Sequence, residues 1–257
     1  MSIPLRQSLA IGKYLMAQKL RRRKHFPLLV ELEPLFQCNL ACSFCGKIQH
    51  PEHVLKKRMP VDQALAAIEE SGAPMVSIAG GEPLVHPEVH EIVRRLVERK
   101  RFVFLCTNAI LMEKRLERFT PSEYFTWVVH LDGLRERHDA FVERDGIFDK
   151  AVAAIRAAKA RGFRVNTNTT FLSTDTPKTV REVLDFLNDE LEVDAIQISP
   201  AYAQLQARRV AGVRRLPLSR IQQLISDNTD GRSWGFFGES GVNVLQLNLA
   251  LDKEQGS

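Results

Sequence analysis

With 257 residues, 44% of them hydrophobic and 26% charged, the chain suits one α/β domain, or one domain with a small appendage, and excludes wholesale disorder. No apolar run reaches eighteen residues, and the first twenty lack the apolar core and small-residue cleavage site of a signal peptide, so a cytoplasmic protein is expected. The net charge of +5 is mild and concentrated in "KLRRRKHF" (19–26), and no nucleic-acid partner is expected from it.

The first segment, "IPLRQSLAIGKYLMAQ" (3–18), places Leu5, Leu9, Leu15 and Met16 near helical spacing. Followed by the basic run, it reads as an amphipathic helix able to lie on an anionic membrane surface or to cap a barrel; the basic run alone reads as a solvated face. "LLVELEP" (28–34) is a strand, and "PVDQALAAIEESG" (60–72) a helix ended by Gly72. "MVSIAGGEP" (75–83) is a strand and turn, "HPEVHEIVRRLVERK" (86–100) a helix with Pro87 in its first turn, and "FVFLCTN" (102–108) a third strand. "TWVVHLDG" (126–133), "FRVNTNTTF" (163–171) and "DAIQISPAY" (194–202) complete six. The last two are preceded by amphipathic helices, "DKAVAAIRAAKARG" (149–162) and "PKTVREVLDFLNDEL" (177–191).

Six β-α units imply a parallel sheet with crossover helices, as an open (β/α) barrel or a doubly wound sheet, and in either the functional groups gather at the C-terminal ends of the strands. That rule brings to one mouth Cys38, Cys42 and Cys45 after strand one, Gly80, Gly81 and Glu82 after strand two, and Cys106, Thr107 and Asn108 after strand three. His130 and Asp132 end strand four; Asn166, Asn168 and Thr170 punctuate strand five; Ser199 and Pro200 end strand six.

Three of the four cysteines stand in "CNLACSFC" (38–45). In a reducing compartment such a cluster points to a metal or redox site rather than a disulfide framework. Structural zinc takes four ligands, commonly as two close pairs. Three thiols with no fourth nearby leave one coordination position open; a [4Fe-4S] cluster held by three thiolates keeps one iron free for a small molecule.

The Cys-x3-Cys-x2-Cys loop after the first strand, with aromatic Phe44 before the third cysteine and "GGEP" after the second strand, resembles the radical S-adenosylmethionine superfamily. The resemblance implies a partial (β/α)6 barrel whose cluster donates an electron to S-adenosylmethionine, cleaving it to methionine and a 5'-deoxyadenosyl radical. It implies Cys38, Cys42 and Cys45 as iron ligands and Gly80, Gly81 and Glu82 as backbone partners of the methionine amine. Residues without a Cβ suit so close an approach; on their own the glycines also read as an ordinary strand-ending turn.

A longer set of strings, "ELEPLFQCNLACSFCGKIQHP", "SGAPMVSIAGGEPLVHPE", "FVFLCTNAILMEKRL", "VVHLDGLRERHD", "GIFDKAVAAIRAAKARGFRVNTNTTF" and "ISPAYA", is similar to the adenosylhopene transferase family of hopanoid biosynthesis over residues 3–203. That similarity implies attachment of the 5'-deoxyadenosyl radical to diploptene, a triterpene hopene, giving adenosylhopane. It also implies a reductant such as flavodoxin or ferredoxin.

Addition to a C=C bond leaves a carbon radical to be quenched, and the Cys106 thiol at the mouth is the expected hydrogen-atom donor; its alternative is a small buried core residue. Asn108, His130 and Asn168 are expected at the cofactor, His130 at its carboxylate or a ribose hydroxyl and Asn168 at the ribose, with a purely structural role open for each. Asp132 and Gly133 read as a loop start, and Glu33 and Asn39 as groups that orient the cysteine loop through hydrogen bonds.

After "ISPAYA" the resemblance fades. The expected organisation is an N-terminal helix and basic segment (1–26), a radical barrel (27–203) and a divergent tail (204–257), whose arginine-rich "QARRVAGVRR" suggests a shifted reading frame. A short tail leaves the wall around a large apolar substrate incomplete. Alternatives are therefore a radical enzyme acting on another substrate, or a truncated cluster-binding protein without activity. Because a hopene is nearly insoluble in water, the protein is expected in the cytoplasm or peripheral to the inner face of the membrane, with residues 3–26 bringing the barrel mouth to the lipid.

Overall fold

A computed structural model describes residues 4–42, 45, 50–172, 175–200, 211–212, 214–227, 229–230 and 241–242. It divides into two compact units, Met1–Ser199 and Pro200–Ser257.

In the first unit six strands form one parallel sheet in chain order: β1 (Leu29–Leu32), β2 (Met75–Ile78), β3 (Phe102–Thr107), β4 (Phe125–His130), β5 (Arg164–Phe171) and β6 (Ala195–Pro200). This is the open (β/α)6 half-barrel expected of the sequence, not a doubly wound sheet, since chain order never reverses across it. Helix α1 (Leu5–Leu20) precedes β1, and a single turn, α2 (Glu52–Leu55), follows the cysteine loop. The crossovers carry α3 (Val61–Ser71), α4 (Val89–Glu98), α5 (Met112–Arg115), α6 (Arg135–Val142), α7 (Ile147–Ala160) and α8 (Pro177–Asp185), the last running into a π turn at Phe186–Glu190. In the second unit α9 (Leu218–Asp227) buries Ile221, Leu224 and Ile225. The two-residue strands β7 (Thr229–Asp230) and β8 (Gly241–Val242) pair antiparallel.

Strand periodicity decides what faces what. Val76 and Ile78, Val103 and Leu105, Phe125, Trp127 and Val129, and Val165 are buried and belong to one core with the helices. Phe119, Phe125, Trp127 and Phe163 pack there edge to face and stacked, with ring centroids 4.7 to 6.2 Å apart. The alternate positions face the lumen: Ser77 opposite Phe104, Cys106 opposite Val128, His130 opposite Asn168. The expected mouth is therefore real, because these lumen positions end at the same side.

Three local expectations change. Pro87 precedes α4, which starts at Val89 after Glu88. The stretch 133–146, read as a loop, contains α6, whose apolar content is too low for a periodic signal. Helix α1 does cap the barrel, but at its floor: Gln7 reaches Met75 at the start of β2 (3.6 Å), Arg6 pairs with Glu123 just before β4, and the Tyr14 hydroxyl donates to the Pro27 carbonyl before β1 (2.7 Å). Residues 4–26 thus stand at the end opposite the cysteine loop, and the expectation that they carry the mouth to a lipid surface is overturned.

Candidate active site: a three-cysteine loop over a half-barrel mouth

The cysteine loop is held down from beneath by the glycines. Gly80 has φ +119°, and a Cβ there would run into the Leu35 carbonyl; one on Gly81 would strike the Phe36 and Gln37 carbonyls. With no side chain between them, the backbones join: Ala79 N–H donates to Leu32 O (2.9 Å), Gly81 N–H to Leu35 O (3.0 Å) and Glu82 N–H to Gln37 O (2.9 Å). The two glycines are thus demanded by the chain's own close approach, whatever else they do. The N–H groups of Gly81 and Glu82 being occupied, the backbone they have left for an amine is carbonyl, the polarity an ammonium donor needs.

Glu82 ties this turn to the end of β3. Its buried carboxylate accepts from Leu84 N–H (3.0 Å), the Thr107 hydroxyl (2.8 Å) and Asn108 N–H (2.7 Å). Burial raises its pKa against the lowering effect of those donors and of nearby Arg115. Asn108 passes the connection on: its Nδ2 donates to Asn39 Oδ1 (2.7 Å) and lies 3.8 Å from Cys38 Sγ, while its Oδ1 accepts from Ile110 N–H (3.1 Å). Asn108 was expected at the cofactor; both ends of its amide are engaged within the chain, supporting the loop. Asn39 supports the loop as expected.

None of the four cysteines is in a disulfide, and all are half-buried. Leu40 N–H lies 3.4 Å from Cys38 Sγ, and Cys45 N–H donates to Cys42 O (3.0 Å). Burial, then the neighbouring Cys38 and Cys45, pushes the Cys42 thiol up to about 11; burial, followed by Glu82 and Cys45, also raises Cys38. A loop that gathers thiols and supplies no compensating cation fits a metal group, which turns thiols into thiolates on binding. Among the described residues no three His, Cys, Asp or Glu side chains converge tightly enough for one metal ion. An iron-sulfur cluster spreads its ligating sulfurs over several irons and asks for less convergence. Phe44 lies outside the described residues.

The opposite rim is a His-Asp-His arrangement. His130, a third of its side chain exposed to the lumen, pairs with the fully buried Asp132. Asp132 Oδ1 accepts from Thr170 N–H (2.7 Å), and its own N–H donates to His138 Nδ1 (3.2 Å). Burial alone would lower the His130 pKa; the Asp132 carboxylate outweighs it and holds the imidazole above its ordinary value. Asp132 is held below its own, with His130, Thr170 N–H and His138 offsetting its burial. His138, deep in α6, is pushed down to about 4 by burial and then by His130. Asp132 is therefore not a loop start but the group that anchors His130. His138 was missed; the Leu134-to-Val142 stretch offered no periodicity to place it.

Asn168, across from His130, accepts a hydrogen bond from Ser199 Oγ (3.1 Å) at Oδ1, and its carbonyl accepts from Leu131 N–H (3.0 Å). Cys106 faces the lumen with its Sγ 3.7 Å from Ser77 Oγ and takes no part in the buried apolar core. Its alternative as a core residue loses its main support.

A half-barrel of parallel strands, a three-thiol loop after its first strand and a backbone cradle after its second define a cluster-bearing barrel enzyme. The radical SAM superfamily model matches residues 32–187, more than half of the chain, which therefore belongs to that superfamily. Streptococcus suis SuiB bound to precursor peptide SuiA superposes with a TM-score of 0.61 over 84% of this chain and 49% of that one, at 21% identity. The enzyme anSMEcpe with bound AdoMet gives 0.54 over 74% and 59%, at 19% identity. The site takes a [4Fe-4S] cluster and S-adenosylmethionine, with Cys38, Cys42 and Cys45 as the thiols on hand.

From residue 194 to 253 the chain instead matches the K+-transporting ATPase c chain. The KdpC subunit of Polynucleobacter asymbioticus is 59% identical over 56 residues, 22% of this chain and 30% of that subunit, and that of a Nostoc species 57% identical over 28% of its length. The chain thus spans under a third of those relatives and about half of SuiB. A frame shifted out of a hopene-type gene would not spell another family's residues at 59% identity, so the shifted-frame explanation of the tail fails. "ISPAYA" itself falls inside the KdpC-like stretch, and so does β6.

Proposed function

We propose that this chain is a radical SAM transferase that adds the 5'-deoxyadenosyl group to the C=C bond of a hopene, diploptene, to give adenosylhopane. The observation that carries the reading is Cys106: a thiol on a lumen position of β3, beside Ser77, within the half-barrel whose mouth holds the cysteine loop. The family strings quoted above, apart from "ISPAYA", lie within the barrel and support the same substrate.

When bound, the cluster and S-adenosylmethionine supply a 5'-deoxyadenosyl radical. The chain's own residues do the rest. Gly80 and Gly81 present carbonyls toward the methionine amine, Glu82 and Asn108 hold the turn and the cysteine loop in register, and His130 with Asn168 lines the far rim for the ribose or carboxylate. Formation of the new C–C bond uses one electron of the C=C pair and leaves the other on the adjoining carbon; Cys106 gives it a hydrogen atom. The resulting thiyl takes an electron from an external reductant such as flavodoxin or ferredoxin, and a proton, to restore the thiol. A substrate this insoluble is presented by a lipid phase or a carrier.

The test is anaerobic reconstitution with iron and sulfide, then S-adenosylmethionine, reductant and diploptene, read by mass spectrometry. Adenosylhopane is the expected product; free 5'-deoxyadenosine without adduct would overturn the substrate assignment and leave a radical enzyme of another specificity. A second reading is favoured by the KdpC-like match from residue 194: the radical core is joined to a segment of other ancestry that now provides β6, so a loaded cluster with neither product would mark the chain as a cluster-binding remnant.

A further inference from the structure

Helix α1 is mounted with its apolar residues outward. Its face toward the barrel floor carries Gln7, Ala10, Tyr14, Ala17 and Gln18, with Gln18 buried and its Oε1 without a hydrogen-bond partner. On the other side Leu5, Leu9, Met16 and Leu20 are 75%, 64%, 60% and 77% exposed. At 3.6 residues per turn these four fall within an arc of about 60°. Arg6 and Lys13 flank the arc on one side and Lys19 on the other. The exposed Arg21, Arg22, Arg23 and Lys24 follow at the helix end. A groove of about 420 Å³ between α1 and the end of α3 is lined by Lys13, Gln18, Arg21 and Arg23 among others.

We propose that this outward face of α1 seats the barrel floor on an anionic lipid bilayer, the four apolar side chains entering the headgroup boundary and the basic residues meeting lipid phosphates. Charge selects this occupant over a second copy of the chain. Residues 1–30 contain seven Lys and Arg and no Asp or Glu, so two copies meeting through α1 would bring two wholly basic flanks together. An anionic headgroup layer supplies the missing counter-charge and an apolar layer beneath it, which is what a helix with an apolar stripe between lysines fits. No described helix is long and apolar enough to cross a membrane, so the helix lies in the surface. The strands being about 20 Å long, the mouth then opens well above the headgroups and away from them, accessible to a soluble reductant. The seating stands independently of the hopene assignment.

The whole chain is floated with vesicles of phosphatidylcholine alone and of phosphatidylcholine mixed with phosphatidylglycerol, without cofactor or substrate, so a wrong substrate assignment leaves the result untouched. Flotation with the anionic vesicles only, weakened by salt, is expected. The double variant Leu9→Ser, Met16→Ser should reduce partitioning at least tenfold, and Arg22→Glu with Arg23→Glu by more than tenfold, each lost cation counting for roughly fivefold. All four positions are exposed, so folding is not at stake. Absence of flotation with anionic vesicles, equal flotation of the stripe variant, or a light-scattering mass of two chains that the stripe variant halves would each overturn the proposal, the last by assigning the face to a second copy.

Discussion

Asn108 Nδ2 donates to Asn39 Oδ1 across 2.7 Å and lies 3.8 Å from Cys38 Sγ, so the end of the third strand grips the loop that carries the three thiols. The grip continues through Asn108 N–H to Glu82 and from there to the turn after β2. Three separate mouth segments are thereby one hydrogen-bonded unit, and the first prediction concerns its outermost member. Asn108→Leu removes the amide donor without touching a thiol. Outer partners of metal ligands are worth about 10 to 100-fold in metal affinity. The variant should lose iron to a chelator at least tenfold faster than the parent, measured by loss of visible absorption, while its melting temperature before reconstitution changes little. Equal iron retention would mean that the loop is held by the glycine contacts alone.

Glu82 is the inner member, and its removal is a stability experiment. Glu82→Ala leaves the Leu84 and Asn108 N–H groups and the Thr107 hydroxyl buried without an acceptor, each costing about 1 to 3 kcal/mol. A total of roughly 3 kcal/mol or more lowers the melting temperature by about 6 °C or more in a unit of this size. Glu82→Gln keeps one acceptor oxygen and should recover part of the loss. A cofactor-only role for Glu82 would leave thermal melting of the unreconstituted alanine variant unchanged, and calorimetry separates the two.

His138 gives a pH dependence whose sign is fixed by its burial. Its folded pKa, about 4, lies below the ordinary 6.5, so between those values the unfolded chain binds the proton that the folded chain refuses. Stability from this residue is complete above pH 6.5, falls as pH drops, and is lost by about pH 4, a total of roughly 3 kcal/mol. His130 acts in the other direction and in another window: its pKa is raised by Asp132, so its contribution is complete below pH 6.5 and is lost as pH rises through its folded value. Urea unfolding of the unreconstituted protein from pH 7 to pH 4 should show the acid-side decline, and His138→Gln, which keeps an acceptor for Asp132 N–H, should flatten it. An unchanged slope would assign the decline to carboxylates instead.

Much of this site could be read before folding because strand ends announce themselves. Cys38, Gly80, Gly81 and Cys106 follow or end short runs of Val, Ile, Leu and Phe, and the parallel sheet brings such ends together whatever the intervening loops do. Glycines 80 and 81 were legible as a close approach, but not that the approaching partner is the chain's own 35–37 backbone. The roles of Asn108 and Asp132 were not legible, since an Asn or Asp after a strand reads equally as a turn former. Burial and the Asn39 and His130 partners separate those cases, and both partners are distant in sequence or hidden by the same ambiguity. The orientation of α1 was illegible for a different reason: leucines spaced along a helix say that an apolar stripe exists, not which way it faces. Here the barrel floor takes the smaller and polar face.

Cys106 offers the decisive chemical test. Its Sγ is on the lumen side of β3, level with Val128 of β4 and 3.7 Å from Ser77 Oγ, and it is no ligand of the loop. Cys106→Ala removes the hydrogen-atom donor and leaves the cluster thiols, the Gly80–Gly81 cradle and the Glu82 connection in place. Cleavage of S-adenosylmethionine should continue at a rate within about threefold of the parent, whereas the adduct should fall at least tenfold or split into two stereoisomers as the carbon radical is quenched from either face by other donors, each tenfold corresponding to about 1.4 kcal/mol of lost transition-state preference. Cys106→Ser should behave like the alanine variant, because an O–H bond is too strong to give up its hydrogen atom readily. Deuterium from solvent, exchanged onto the parent's thiol, should appear in the adduct. An adduct of unchanged yield and single configuration from Cys106→Ala would remove the thiol from the reaction and return Cys106 to a packing role against Ser77.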